Sequence, residues 1–119
     1  MLAAILESGE PARLYTGLSL LVSTAVEGEP AVGLVSFGAL EAWLAASDGD
    51  AGAGADRLAR GLAELRATAR ELPDLRLYAC AAAVDTTGAD RAAVERRLDG
   101  VMSTPRFLRE TAGARLVVV

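Results

Sequence analysis

Histidine, lysine, asparagine and glutamine are absent from this chain, and cysteine occurs once, at Cys80. Each absence removes a chemistry. With no His and one Cys there is no Cys/His zinc site, no Ser-His-Asp or Cys-His pair and no intramolecular disulfide. All 12 basic residues are Arg, against 16 Asp and Glu, which leaves a net charge of −4. That balance argues against nucleic acid as a partner, which requires a basic face. Long apolar runs are missing as well. The longest uncharged stretch, residues 14–26, is shorter than the ~20 residues a membrane-spanning helix needs, so no membrane partner is expected. Residues 1–6 have no basic lead and are soon followed by Glu7 and Glu10, unlike a secretory signal. A lone Cys suits a reducing compartment, and the cytoplasm is the expected location.

What is present is apolar: 52% of the 119 residues. This suits one domain over residues 1–119, with a core that needs neither disulfide nor structural metal. The enrichment in Ala, Gly and Arg reads as the coding bias of a GC-rich genome and carries no functional weight. No internal repeat is visible.

Short apolar runs alternate with helical periodicity. Residues 2–6 read as a buried strand closed by Glu7-Ser8-Gly9. Pro11 suits a first helical turn, and Leu14, Leu18, Leu21, Val22 and Ala25 then recur at helical spacing up to Gly28. The other side of this helix carries Tyr15, Thr16, Ser19 and Ser23, so it is expected to be largely covered on both faces. Residues 31–37 read as a second strand and 39–46 as a short helix carrying Trp43. Residues 47–55, rich in Gly and Asp, read as a flexible loop. Asp56 caps a helix with a stripe of Leu58, Leu62, Leu65, Ala69 and Leu72, whose arginines are expected on the wet side. Residues 75–79 form a third strand that delivers Cys80. A helix over 90–98 turns Val94 and Leu98 inward. Residues 100–102 form a fourth strand, Thr104-Pro105 caps and opens a helix, and 116–119 form the last strand. Five short strands, mostly without polar alternation, between helices predict a three-layer α/β/α sandwich with a mostly parallel five-stranded sheet covered on both faces.

Ligands of open α/β sheets bind beyond the carboxyl ends of the strands. Here those ends are Glu7-Ser8-Gly9, Phe37-Gly38, Cys80-Ala81 and Ser103-Thr104. Cys80 is the strongest nucleophile of that set. A strand end running into a helix offers it backbone N–H groups and a positive dipole end, and Ala79 and residues 81–83 are small enough to leave it open. Against this, a free Cys commonly packs as a small hydrophobe. No His or Lys is at hand to activate it, and Asp85 opposes a negative sulfur. Spacing alone leaves both readings standing.

Residues 75–88, LRLYACAAAVDTTG, resemble the cysteine segment of the DsrE/DsrF-like sulfur-relay family, in which a strand of the form V-x-V-Y-x-C runs into small residues and then Gly. Residues 9–40 resemble the first helix, second strand and Phe-Gly turn of that family, and residues 101–119 its closing strand–helix–strand. The resemblance implies a small α/β/α subunit assembled as a homo-oligomer, commonly a trimer or hexamer, without a cofactor. It implies a sulfurtransferase or sulfur-carrier role, in which Cys80 holds sulfane sulfur as a persulfide between a donor and an acceptor protein. Gly38, Ser103 and Thr104 are the expected lining of the pocket, from their positions at strand ends.

Two alternatives belong to other classes. One is a non-catalytic oligomeric or adaptor subunit with a structural Cys80. The other is a thiol peroxidase, weakened by the missing resolving Cys and by Leu77 where a Thr or Pro is wanted. Weaker motifs fall away. Gly52-Ala53-Gly54 lacks the third Gly of a dinucleotide loop. Asp48 and Asp50 lack the remaining ligands of a calcium loop. Arg106 and Arg109 stand near a strand end but read as solvent-exposed. Trp43 and Phe37 read as core or interface, with the option of walling the Cys80 pocket.

Overall fold

The apolar runs become strands and the periodic stretches become helices in the computed structural model, which describes residues 1–46 and 51–119. In chain order the elements are β1 (Leu2–Leu6), α1 (Pro11–Val26), β2 (Ala31–Val35), α2 (Phe37–Ala45), α3 (Arg57–Glu71), β3 (Leu75–Cys80), α4 (Ala81–Thr87), α5 (Arg91–Arg97), β4 (Val101–Met102), α6 (Thr104–Glu110) and β5 (Arg115–Val118). The strands form one all-parallel sheet in the order β4-β3-β2-β1-β5, and with the helices it makes a three-layer α/β/α sandwich. Among the described residues no helix is long and apolar enough to cross a membrane.

The strand order decides where the helices go. From β1 to β4 the chain steps across the sheet in one direction, and then β5 returns to the far side of β1. Parallel crossovers are right-handed, so the helices of the forward steps share one face and α6 takes the other. Packing agrees: α1 lies against α3, and the Arg70 guanidinium of α3 donates to the carbonyls of Arg96 and Arg97 that close α5, at 3.0 and 3.1 Å. Arg97 in turn donates to the carbonyls of Leu44 and Ala46, at the end of α2. Arginine at a helix C-terminus satisfies carbonyls that the helix itself leaves open.

Burial follows the same division. On the forward face, Leu2, Ala4, Leu6, Ala31, Gly33, Val35, Leu75, Leu77 and Ala79 are all buried. On the α6 face, Ala3, Leu34 and Cys80 are buried, but Ile5, Val32 and Tyr78 are half-buried and Arg76 is exposed. The edge strand β5 adds Leu116 and Val118 to this face, both exposed. The expectation of a sheet covered on both faces is therefore corrected: the seven-residue α6 is too short to span five strands. Nor is α1 covered all round, since Tyr15, Thr16, Leu20 and Ser23 are exposed.

Boundaries shift for local reasons. β2 stops at Val35, and Phe37 and Gly38 already belong to α2. The cap of α6 is Ser103, whose Oγ accepts from the Arg106 N–H at 3.3 Å, rather than Thr104. Asp56 caps α3 as expected, accepting from the Ala59 N–H at 2.8 Å. Residues 81–87, read as a run of small residues, form α4. The Asp48 and Asp50 reading and the first half of the 47–55 loop lie outside the described residues.

β4 has two residues and pairs only with Ala79 and Cys80, so the edge of β3 that faces away from β2 is left open over its amino half. Asp99 fills the gap: its carboxylate accepts from the Leu77 N–H at 2.7 Å, and its own N–H donates to the Leu77 carbonyl at 2.7 Å. Asp99→Ala strands the Leu77 N–H of a buried residue, and urea unfolding should register a loss of about 1–3 kcal/mol.

Candidate functional site

The loops that leave β3 and β4 diverge, one toward the forward helices and the other into α6. Open α/β folds bind their ligands at such a divergence, in the crevice beyond the carboxyl ends of the strands. Cys80 ends β3 at this point. It pairs with Met102 in the sheet and is the N-cap residue of α4 (φ −66°, ψ 124°). Among the described residues no side chain caps α4, and its first-turn N–H groups have no intrahelical partner. Thr104, the first residue of α6, brings its Oγ1 to 4.0 Å from the Cys80 Sγ. Two helix starts thus meet at the ends of β3 and β4, with Cys80 as the N-cap residue of α4 and Thr104 as the first residue of α6.

Cys80 is a free thiol and only 4% exposed. The cover is thin, for Ala82, Ser103 and Thr104 beside it in the chain or the sheet are exposed. Asp85, the carboxylate expected to oppose a charged sulfur, is exposed on α4. Of the expected pocket lining, the structure brings Thr104 to the sulfur. Ser103 is one residue away, with its hydroxyl occupied in capping α6. Gly38 faces the β1 loop instead, packed against Gly9 and the Glu7 carbonyl. Arg106 is engaged with Glu110 through a 3.1 Å ion pair, and Arg109 is exposed in the last turn of α6. Among the described residues no three acidic or Cys side chains lie close enough to hold a metal ion.

Two features escaped the sequence reading. Arg66 is buried, not on the wet side of α3, with its guanidinium carbon 5.7 Å from the centroid of the buried Trp43 ring. The signal was there: 62, 66 and 69 fall on one helical stripe. A cavity of about 200 Å³ lies beside it, lined by Gly9, Leu14, Ala42, Ala59, Leu62 and Arg66 among others, and Cys80 is not part of its wall. The second feature is Phe37, expected in the core, an interface or a pocket wall. It is excluded from the core, with 44% of its surface exposed and a φ of 40°.

No protein-family model matches this chain, and no curated protein matches it.

Proposed function

We propose that this chain is a sulfur-relay subunit that takes sulfane sulfur onto Cys80 as a persulfide and passes it to a partner thiol. The observation that carries the reading is the place of Cys80 at the carboxyl end of β3, where it is the N-cap residue of α4 and has the Thr104 Oγ1 of α6 4.0 Å from its sulfur. The resemblance of residues 75–88 to the DsrE/DsrF-like cysteine segment supports it.

The chemistry is an exchange between sulfurs. The Cys80 thiolate attacks the outer sulfur of a donor persulfide or polysulfide. A bond forms between Sγ and that sulfur, the donor's own S–S bond breaks, and the donor leaves as a thiolate. An acceptor thiolate then attacks the outer sulfur on Cys80, and Cys80 is released as a thiolate. One sulfur atom moves and no outside oxidant or reductant is consumed. In this reading the Thr104 hydroxyl and the first-turn N–H groups of α4 hydrogen-bond the anionic outer sulfur, with Ser103 next to them. The reading includes a homo-oligomer in a reducing cytoplasm, and the exposed Leu116 and Val118 of β5 give it an apolar surface to bury.

The burial of Cys80 favours a second reading, an oligomeric or adaptor subunit in which this thiol is structural. Intact mass after brief exposure to polysulfide separates the two. Relay chemistry adds whole sulfur atoms that are removed by reductant and absent in Cys80→Ser. An unchanged mass, with thiol labelling that becomes fast only on denaturation, assigns Cys80 to the core.

A further inference from the structure

We propose that Phe37 is the docking anchor for the protein that exchanges sulfur with Cys80, and that this partner presents its thiol among basic and apolar residues. The partner's identity rests on the sulfur-relay reading; the surface rests on geometry. Phe37 directly follows Ser36 at the end of β2 with a φ of 40°, and it is the non-glycine residue with positive φ among the described residues. A bulky L-residue is strained in that region. The residue is nevertheless 44% exposed, so the core gains little from the strain. Glycine would relax the backbone at no steric cost. An aromatic held out by a strained turn therefore has its use outside the chain's own core. Hydrolases use the same strand-to-helix elbow to hold a nucleophile above the sheet; here the elbow holds a ring.

The elbow stands beside the thiol. Val35 pairs with Ala79 as the last pair of the two strands; Ser36 and Cys80 follow directly, each an N-cap residue, of α2 and α4, and Phe37 is one step beyond. Neighbouring strands are about 4.8 Å apart, so a protein that delivers a thiol to Cys80 meets the ring. The surrounding charge is acidic. Glu41 is one turn from Phe37 on the same side of α2, the Glu7 carbonyl accepts from the Ala39 N–H at 3.0 Å, and Asp85 is carried by α4, which packs on α2. All three side chains are exposed. Arg13 and Arg106 lie at the same end, the latter paired with Glu110. Exposed aromatic anchors ringed by complementary charge are the usual centres of binding energy.

The test titrates two labelled peptides into the purified full chain. One has a central Ser, in place of the reactive thiol, flanked by Arg and Leu; the other has Glu for each Arg. The Arg peptide should bind about tenfold more tightly, and Phe37→Gly should lose about tenfold of that affinity while its thermal midpoint holds or rises. Phe37→Leu should lose less, and Glu41→Arg should narrow the preference between the peptides. Unchanged affinity in Phe37→Gly, no preference between the peptides, or no binding of either overturns the inference. So does a Phe37→Gly protein that dissociates from oligomer to monomer with peptide affinity intact, since the ring then covers a second copy of the chain. Binding is read without sulfur, so failure of Cys80 to load polysulfide sinks the relay reading alone.

Discussion

Trp43→Ala is expected to destabilise the chain by about 3–5 kcal/mol, the cost of emptying a large aromatic site in a close-packed core. Trp43 is fully buried in α2, and its loss removes the ring face over which the buried Arg66 guanidinium lies. A domain of this size has about 5–15 kcal/mol in all, so the variant approaches the limit of folding. Trp43→Phe separates the contributions. Among the described residues the buried indole N–H has no hydrogen-bond partner, and an unmet buried donor costs about 1–3 kcal/mol. Phe keeps most of the ring and deletes that donor, so the two changes offset and the variant should fall within about 1.5 kcal/mol of the parent. Urea midpoints at constant m-value decide it. A Trp43→Phe loss as large as that of Trp43→Ala shows that the N–H is satisfied in solution.

The same Trp shows what the sequence could and could not disclose. Strands β1, β3 and β4, helices α1 and α5, and the cap Asp56 are legible because turn residues bracket runs of one period. Cys80 is legible as the end of β3 for the same reason. Some failures are local, such as the α6 cap at Ser103 and the helix α4, and the larger ones are tertiary. Nothing in residues 116–119 distinguishes an edge strand with exposed Leu116 and Val118 from a central one, because an apolar run records burial on average and not the number of helices available to cover a face. The charge of Arg66 argues for the wet side of α3, although its spacing puts it on the buried stripe; a flat aromatic partner changes that outcome. Phe37 extends an apolar run and so reads as part of β2. The elbow that ends the strand depends on contacts with the β1 loop, 28 residues earlier at Gly9, and no local pattern contains them.

Those contacts support the last prediction, that Gly9→Ala costs about 3 kcal/mol, the upper end of the range for overpacking. A Cβ at Gly9 would stand 2.5 Å from the Gly38 carbonyl oxygen and 3.0 Å from its carbon, and both are backbone atoms. Side-chain tips can swing away, but the Gly38 backbone is fixed by the Ala39 N–H bond to the Glu7 carbonyl at 3.0 Å and the Ser36 N–H bond to the Leu6 carbonyl at 2.9 Å. Relieving the clash breaks one of them. Gly61→Ala is the opposite case: the site is in the interior of α3, its nearest neighbour is the Tyr15 ring at 3.4 Å, and Tyr15 is exposed. There the gain in helix propensity should stabilise by about 0.5–1 kcal/mol. The contrast extends to the site. Gly9 holds the elbow at Ser36, and Ser36 and Cys80 directly follow the paired Val35 and Ala79, so Gly9→Ala should label at Cys80 faster than the parent under native conditions, while Gly61→Ala labels at the parent rate. Equal labelling in all three proteins would mean that the cover over the thiol is supplied by α4 and α6 alone, independent of the β1–β2 end of the site.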